Sequence, residues 1–366
     1  MKNKIKLLAL LLCLALTCSL FAGCGPGGNE GKIIGVSMPS KNLQRWNQDG
    51  ENIKKQLEAK GYQVNLQFSE IDPQDENVGI NMQISQIDSM IDNNCQVLLI
   101  AAINGPALSG VLQKAADKKI KIIAYDRLIM DSPNVDYYTT FNNFDVGVMQ
   151  GEYIEKALDL KNSEGPYNIE IFSGSPNDNN ATFFYNGAMN ILQPYIDSGK
   201  LVVQSGEVDF AVTSIMDWVS EAAQQRMDKL LKAYYNNGTE LHAVLSPNDG
   251  LAIGIIRALR AAGFGEGKTF PVLTGQDCDI ESVIAMINGE QSMSVFKDTR
   301  ALAARTVEMV DDIIVRKTAS TNDSKTYHNG VKIVPTYICT PVFADKDNYK
   351  QILINSGYYN ESDLKQ

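Results

Sequence analysis

Polar, charged and aromatic side chains lie on the carboxyl side of nearly every predicted strand of this chain. They offer the donors, acceptors and flat surfaces that binding a ring of hydroxyl groups requires. In open α/β sheets, ligands bind in the crevice outside the carboxyl ends of the strands. The pattern therefore predicts a cleft for a small molecule. The side chains concerned are Arg45-Trp46, Asp126-Arg127, Asn142-Asn143, Asn179-Asn180, Asn248-Asp249, Gln276-Asp277 and Lys297.

Arg45 and Trp46 lie just beyond the first predicted strand. Trp46 could cover the weakly polar face of a sugar ring, and Arg45 could supply a planar fork of donors. The alternative is that Trp46 packs into the core while Arg45 is solvated. The other tryptophan, Trp218, lies in the second half of the chain near the start of a predicted helix.

Two carboxylates occupy matching places in the two halves of the chain. Asp126, followed by Arg127, closes one strand, and Asp277 follows another. A carboxylate can accept hydrogen bonds from two adjacent hydroxyl groups, and such charge-assisted bonds are strong. The alternatives are a local ion pair between Asp126 and Arg127 and a helix N-cap at Asp277.

Other candidates have simple explanations when each is considered alone. Asn180 and Asn248 stand in turns that lead into helices, where capping would account for them. Lys297 ends the last strand of the second half, where an isolated lysine is normally exposed. Only their common placement at strand ends argues for a binding site.

The elements that position these residues alternate between short apolar strands and longer helical patterns, as in a parallel α/β architecture. With 366 residues the chain exceeds what one core usually organises, so two domains are expected. The predicted strands form two sets of five. They are Ile33–Met38, Val64–Phe68, Val97–Ala101, Ile120–Tyr125 and Tyr137–Phe141, then Asn168–Phe172, Leu201–Gln204, Ala243–Leu245, Val272–Thr274 and Ser292–Phe296.

The connections between the halves are also predicted. Val146–Leu158 is a helix that leads into the second lobe, and Ala301–Val315 is a helix after the tenth strand. The strand-like run Val331–Phe343 contains Pro335 and Pro341, which favours an edge position or an inter-lobe connection. The chain therefore crosses between the lobes more than once.

The first residues predict export. Three lysines precede the apolar run Leu7–Leu16, which is too short to span a membrane but suits a signal peptide. Small residues before Cys24 are typical of a lipoprotein signal, with Cys18 as a weaker alternative and ordinary secretion as another. The glycine-rich stretch after Cys24 is then a flexible tether.

Charge and cysteine content narrow the function further. Removal of Lys2, Lys4 and Lys6 with the signal peptide takes the formal charge from −10 to −13, which disfavours nucleic acid as a partner. A disulfide framework is not expected in a chain this long. The remaining cysteines are Cys95, Cys278 and Cys339. We expect them to be buried thiols, with one disulfide bond between two of them as the alternative.

Catalytic and metal chemistry have little support. The only histidines, His242 and His328, lack the spacing of a zinc site, so no metal and no cofactor is predicted. A glycoside hydrolase needs two carboxyl groups roughly 5–9.5 Å apart. Asp126 and Asp277 leave that alternative open, but nothing in the sequence indicates a raised pKa for a general acid.

Taken together, these motifs resemble the multiple sugar-binding periplasmic receptors, to which the D-xylose-binding proteins are close relatives. The similarity runs from about Ile33 to the C-terminus. The motifs that carry it are Met38-Pro39-Ser40-Lys41 to Arg45-Trp46, Ile123 to Arg127, Gly174-Ser175-Pro176 to Asn179-Asn180, Gly275-Gln276-Asp277, Val295 to Arg300, Lys325-Thr326-Tyr327 and Gly357-Tyr358-Tyr359.

The resemblance implies a type I periplasmic-binding-protein fold, in which two Rossmann-like lobes with mostly parallel sheets are joined by a three-segment hinge. On this basis we expect a signal peptide at 1–23 and a lipid-anchored tether at 24–31. The N-terminal lobe would comprise 32–142 and 298–330, and the C-terminal lobe 143–297 and 331–366.

The resemblance also implies a monosaccharide clamped between the lobes, and no chemistry performed by the protein. The implied ligand-binding residues are Arg45, Trp46, Asp126, Arg127, Asn143, Asn180, Trp218, Asn248, Asp277 and Lys297, with Lys41 and Gln44 as further candidates.

The implied partner is the permease of an ABC importer in the membrane. A chemoreceptor or sensor kinase is an alternative or additional partner, and a monomer is expected. A lipid at Cys24 would hold the receptor outside the membrane, on a Gram-positive surface or in a periplasm.

Overall fold

The computed structural model describes residues 29–41, 43–70, 72 and 75–365. The predicted signal peptide, Cys24 and the first part of the tether lie outside these residues. In the described part of the chain, no helix is long and apolar enough to cross a membrane.

The first lobe is built on a six-stranded parallel sheet. Its strands are β1 (Ile33–Met38), β2 (Gln63–Phe68), β3 (Val97–Ile100), β4 (Lys121–Tyr125), β5 (Tyr137–Phe141) and β11 (Thr336–Cys339), and its helices are α1 (Gln44–Ala59), α2 (Glu76–Asp92), α3 (Ser109–Asp117) and α10 (Thr299–Arg316). The strand order is β2-β1-β3-β4-β5-β11. Helices cover both faces of this sheet, so β3 is buried along its whole length and carries a continuous apolar run.

The second lobe repeats this order with shorter strands. Its strands are β6 (Tyr167–Ile171), β7 (Leu201–Val203), β8 (Ala243–Leu245), β9 (Val272–Leu273), β10 (Met293–Phe296) and β12 (Val342–Asp345), and its helices are α4 (Asn143–Ala157), α5 (Asn179–Asp197), α6 (Phe210–Thr213), α7 (Ser220–Tyr234), α8 (Asp249–Ala261) and α9 (Ile280–Ile287). The parallel order is β7-β6-β8-β9. A bridge between Gln276 and Val295 joins it to the antiparallel pair β10-β12.

Side-chain caps fix where the helices that border the cleft begin. The side chains of Asp178, Asn248 and Asp298 accept hydrogen bonds from the first-turn N–H groups of α5, α8 and α10. Each cap satisfies a donor that has no partner within its helix, and each follows a short link from a strand end. The strand ends and helix starts therefore meet at one edge of each sheet.

Three chain segments connect the lobes. The first lies between β5 and α4, the second between β10 and α10, and the third between β11 and β12. The predicted two-lobed architecture with its three-segment hinge is confirmed.

The predicted position of the third crossing is wrong. The resemblance implies that residues 331–366 belong to the second lobe, but β11 pairs in parallel with β5, and Thr336 lies opposite Tyr138. The first lobe therefore continues to Cys339. Pro335 and Pro341 flank this strand, and β11 lies at the sheet edge, where the missing N–H of proline breaks no ladder.

The three cysteines in the described residues are free thiols. Cys95 and Cys278 are buried, and Cys339 is half-buried. Burial raises the pKa of Cys95 to about 11, so its sulfur is an inert core group.

Candidate functional site

The carboxyl ends of the two sheets face each other across a cleft with an empty volume of about 280 Å³, open solvent included. Most of the lining side chains are polar or charged. The lining residues are Leu43, Arg45, Trp46, Asp126, Arg127, Asp178, Asn180, Phe184, Trp218, Asn248, Gln276, Asp277 and Lys297.

Arg45, in the first turn of α1, joins carboxylates of both lobes. Its Nη2 atom donates to Oδ2 of Asp49 and to Oδ2 of Asp126, each at 2.8 Å, and its Nη1 donates to Oδ1 of Asp277 at 3.3 Å. Burial opposes the charge on Arg45, but Asp126, Asp49 and Asp277 outweigh it and raise its pKa. Arg45 is thus a permanent cation between two lobes, and it is not the solvated residue of the alternative interpretation.

Asp126 follows β4 with a left-handed φ of 58°, which aspartate tolerates better than most residues. Its backbone carbonyl accepts from the Tyr138 hydroxyl at 2.5 Å and from Asn180 Nδ2 at 2.7 Å. Burial favours the neutral acid, but Arg45, Lys297 and Arg127 outweigh it and lower the pKa of Asp126. Its carboxylate is therefore ionised and can only accept hydrogen bonds.

Asp126 and Arg127 do not form the local ion pair that we considered as an alternative. Asp126 pairs with Arg45, whereas Nε of Arg127 lies 3.0 Å from Oδ2 of Asp178 in the second lobe. Asp178 also caps α5 by accepting from the N–H of Asn180. Burial raises the pKa of Asp178, although Arg127 opposes this.

Asp277 and Lys297 are the charged residues with which the second lobe lines the cavity, together with Asp178. Nζ of Lys297 lies 3.1 Å from Oδ1 of Asp277 and 3.9 Å from Oδ2 of Asp126. Lys297 is 2% exposed, so the expectation that a lysine here would be solvated does not hold. Carboxylates and cations thus alternate across the cleft, and each buried charge has an opposite charge beside it.

The two tryptophans flank the cavity from opposite lobes. Trp46 lies within α1 and belongs to the first-lobe core, while Trp218 ends the short 3₁₀ turn Met216–Trp218. Their indole nitrogens are buried without a hydrogen-bond partner in the described residues. Trp46 therefore packs in the core of the first lobe, as one interpretation expects, and it also lines the cavity, as the other expects.

Trp218 is held by unusual local geometry. Its φ is 59°, a left-handed value that is strained for a bulky side chain. A Cβ atom added to Gly174 would lie 2.1 Å from Cη2 of Trp218. Gly174 therefore makes room for the indole ring, and the ring also packs against Phe184 with its centroid 6.3 Å away.

Asn248 both caps a helix and lines the cavity, the two roles that the sequence allows for it. Its Oδ1 caps α8 by accepting from the N–H of Leu251 at 3.1 Å, and the residue also lines the cavity. Its neighbour Asp249 lies outside the cavity lining and bonds to Ser294 and Gln291. Capping and cavity lining are thus compatible in one asparagine.

Three predicted ligand-binding residues lie outside the cavity lining. Lys41 is exposed, with its Nζ 4.9 Å from the ring centroid of Phe68. Asn143 donates to Oδ1 of Asn180 at 2.9 Å and so positions a lining residue. Gln44 forms a hydrogen bond with Tyr359 of the second lobe, outside the cavity.

The ligand-binding residues that the resemblance implies do not include Leu43, Asp178, Phe184 and Gln276, which line the cavity, although Gln276 is among the predicted strand-end side chains. Asp178 and Gln276 stand beside predicted residues in the turns after β6 and β9, so adjacency was the available signal. Leu43 and Phe184 are apolar and have no pattern that separates them from core residues.

The arrangement can bind a small ring that carries several hydroxyl groups. The ionised carboxylate of Asp126 accepts hydrogen bonds, Arg45, Arg127 and Lys297 donate them, and the amide side chains do both. Indole rings on either side supply flat apolar surface.

This chain is similar to known proteins in sequence and in structure. A model of the periplasmic binding protein domain matches residues 34–318. The multiple sugar-binding periplasmic protein SbpA of Azospirillum brasilense is 53% identical over 333 residues, 91% of this chain and 91% of that protein. The D-xylose-binding periplasmic protein of Escherichia coli (strain K12) is 34% identical over 362 residues, 99% of this chain and 100% of that protein.

A solved structure is similar over nearly the same range. It is an ABC transporter solute binding protein from Clostridium phytofermentans with bound β-D-glucose, 52% identical, with a TM-score of 0.86 over 91% of this chain and 100% of that one. The resemblance that the motifs indicated is thereby confirmed. This chain belongs to the periplasmic binding protein domain family and has its type I fold of two Rossmann-like lobes.

Proposed function

We propose that this protein is an extracytoplasmic receptor that captures an aldose monosaccharide between its lobes and delivers it to an ABC importer. The names of similar proteins support this, since they include multiple sugar-binding and D-xylose-binding periplasmic proteins. The protein would perform no chemistry on the sugar.

The observation that carries the proposal is the group Arg45, Asp126, Asp277 and Lys297. Its members come from both lobes, are almost completely buried, and lie within 2.8–3.9 Å of one another through their charged atoms. Hydroxyl groups of a sugar can bond to these acceptors and donors while the lobes close, because the site is already charge-balanced. A neutral, polar ligand suits such a site.

The ligand-binding role is proposed for the lining residues of both lobes, with Trp46 and Trp218 against the two faces of the ring. Asn143 and Lys41 contribute indirectly or not at all in this arrangement. D-glucose is the first ligand to test, because it occupies the 52% identical solute binding protein from Clostridium phytofermentans. D-xylose is the second, given the 34% identical D-xylose-binding protein.

Membrane attachment and partners are part of the proposal. A lipid on Cys24 would hold the receptor near its permease. A chemoreceptor or sensor kinase could recognise the same closed form of the receptor, which would be a monomer. Mass spectrometry of the exported protein tests the lipid, because Cys24→Ala should abolish a diacylglyceryl adduct on the N-terminal peptide.

The binding proposal is tested with protein stripped of carried-over sugar. A ligand at 100 times its Kd should raise the free energy of unfolding by about 2.7 kcal/mol. Asp126→Ala should abolish the gain, because it removes an acceptor and leaves Arg45 with one carboxylate fewer in a buried site.

The matched control is Asp136→Ala. Asp136 also lies in the first lobe and pairs with a cation, Lys121, at 2.6 Å, but outside the cavity. This variant should keep the sugar-dependent gain. If no aldopentose or aldohexose in a broad panel stabilises the wild type, the proposal is wrong.

A secreted glycoside hydrolase was the alternative from sequence. Such an enzyme needs a carboxyl group that stays protonated as general acid. Asp126, one of the two carboxyl groups of this alternative, does not meet that need, because the cations around it lower its pKa. Release of product from aryl glycosides would favour the hydrolase, and an inert result favours the receptor.

A further inference from the structure

A polar contact outside the cavity connects the first turn of α1 to the second lobe. Nε2 of Gln44 donates to the hydroxyl of Tyr359 at 2.7 Å, and Oε1 of Gln44 accepts from the backbone N–H of Ile280 at 3.2 Å. Gln44 thus uses both ends of its amide across the lobe boundary. Neither Gln44 nor Tyr359 lines the cavity.

Tyr359 belongs to the second lobe. It is 5% exposed and packs in a cluster with Cys278, Met286, Phe296 and Leu353. Its hydroxyl donates to the backbone carbonyl of Cys278 at 2.9 Å, so the oxygen lone pairs are left to accept from the first lobe. Burial raises the pKa of Tyr359, so the hydroxyl keeps its proton.

Gln48, one helical turn after Gln44, extends the contact. Its Nε2 lies 3.3 Å from the Tyr359 hydroxyl, and its Oε1 accepts from the Tyr358 hydroxyl at 2.9 Å. The Tyr358 hydroxyl also lies 3.1 Å from Oγ1 of Thr299, at the start of α10 beside the second crossing. The contact therefore runs from the hinge along α1 to Gln44.

We propose that Gln44, Gln48, Tyr358 and Tyr359 form a latch that holds the closed lobes together without touching the ligand. The inference rests on the proposed sugar-binding function. Hydrogen bonds made only in the closed form shift the population toward it, and apparent affinity rises with the fraction that is competent. Gln44 is thus a positioning residue, and the sequence-based expectation that it binds ligand is replaced.

Loss of the latch should shorten the residence time of every bound sugar without changing the selectivity between sugars. Because Gln44 lies outside the cavity, its loss should weaken all bound sugars by the same factor. Because its bonds form on closure, the loss should appear as faster dissociation, with association little changed. A residue that touches the sugar would instead alter the ratio of affinities between two sugars.

The experiment compares Gln44→Ala with Gln56→Ala. Gln56 lies on the same helix and is also half-buried, but its Nε2 donates to the carbonyl of Arg300 within the first lobe. Stopped-flow measurements with D-glucose and D-xylose should give about 10-fold faster dissociation for Gln44→Ala, from two lost bonds of ordinary strength. Gln56→Ala should stay within about twofold of the wild type.

Tyr359→Phe gives a second, independent variant, with Tyr185→Phe as its control, because the Tyr185 hydroxyl bonds to Val208 inside the second lobe. Adding Tyr359→Phe to Gln44→Ala should cost less than the sum of the single effects, since the two residues share a bond. Unchanged dissociation in Gln44→Ala, or a changed glucose-to-xylose ratio, would overturn the latch.

A measurement without sugar separates this inference from the proposed function. If the wild type binds no aldose, the proposed function fails. The latch then still predicts that small-angle X-ray scattering gives a larger radius of gyration for Gln44→Ala than for the wild type and Gln56→Ala. Equal radii in that case would contradict the latch as well.

Discussion

The two tryptophans that flank the cavity are held in place by opposite means. Trp46 lies in a regular helix, 2% exposed, and its ring belongs to the first-lobe core, with the guanidinium carbons of Arg45 and Arg127 at 4.5 and 5.2 Å from the ring centroid. Trp218 lies after a short turn with left-handed backbone at both Asp217 and Trp218, and Gly174 leaves space for its ring.

The first wall of the cavity, Arg45 and Trp46 on α1, forms as the helix and core of the first lobe fold, whereas the second wall, Trp218, depends on local backbone geometry that serves this one ring. The first wall needs no strained backbone, because the helix and the core fix it. The second wall accepts local strain, which persists only where the surroundings enforce it. Substitutions should therefore act on stability at the first wall and on local geometry at the second.

The largest expected effect is that of Trp46→Ala on stability. Removal of a buried tryptophan side chain from a core lowers the free energy of unfolding by about 3–5 kcal/mol. Urea denaturation followed by circular dichroism measures this change. A loss below 1 kcal/mol would mean that Trp46 is only a ligand platform and that the comparison is wrong.

The next effect concerns Asp49, which anchors the first wall beneath Arg45. Burial, opposed mainly by Arg45, raises the pKa of Asp49 to about 6, against about 3.9 in an unfolded chain. An acid whose folded pKa is raised contributes stability that is present below pH 4 and is lost as the pH rises through 6. The loss is on the order of 2–3 kcal/mol.

Asp49→Asn removes this titration. The difference in unfolding free energy between wild type and Asp49→Asn should therefore change by that amount between pH 4 and pH 6.5, with the wild type losing ground as the pH rises. Parallel stability profiles of the two proteins would contradict the assignment.

At the second wall, Gly174→Ala should displace Trp218. The added methyl group would overlap the indole, and overpacking costs about 1–3 kcal/mol. Sugar-dependent stabilisation should fall together with the free energy of unfolding. Gly110→Ala is the control, because a Cβ at Gly110 meets nothing within 4 Å. It should leave the sugar-dependent stabilisation intact and should not lower the free energy of unfolding, since alanine favours the helix at this position.

The smallest expected effect is the difference in stability between a glycine and an alanine substitution, and its sign is opposite at the two tryptophan positions. In the helix at position 46, Trp46→Gly should be less stable than Trp46→Ala by about 1 kcal/mol. At position 218, Trp218→Gly should be more stable than Trp218→Ala by about 1–2 kcal/mol, since glycine accepts a left-handed φ. The same sign at both positions would show that the backbone at Trp218 is not strained.

Much of the fold could be predicted because its cause is local. Buried parallel strands such as β3 are continuous apolar runs, and the helix of Gln44–Ala59 ends where Gly61 adopts a φ of 85°. The two prolines of Val331–Phe343 predicted an edge strand or an inter-lobe connection, and β11 with the segment after it confirms this. The lobe to which β11 belongs could not be predicted in the same way. Four residues of β11 pair with a strand about 200 positions earlier, and no local pattern reports that pairing.

The candidate site was predictable as a set of strand ends and less so as a set of side chains. Arg45 and Gln44 are neighbours in sequence, but successive residues of a helix point about 100° apart. Only the position of the first turn decides that Arg45 faces the cavity and Gln44 the latch. Asn143 shows the same limit, because its amide bonds to Asn180 instead of lining the cavity.

The return of the chain to the first lobe at β11 has a consequence for how the protein folds. The edge strand of the first sheet and strand β12 of the second both lie within the ten residues from Thr336 to Asp345. Such pairings, separated by long stretches of sequence, close large loops and form slowly. Neither sheet therefore has its full set of strands until the segment Thr336–Asp345 is in place, so the two lobes complete their sheets at the same late stage of folding.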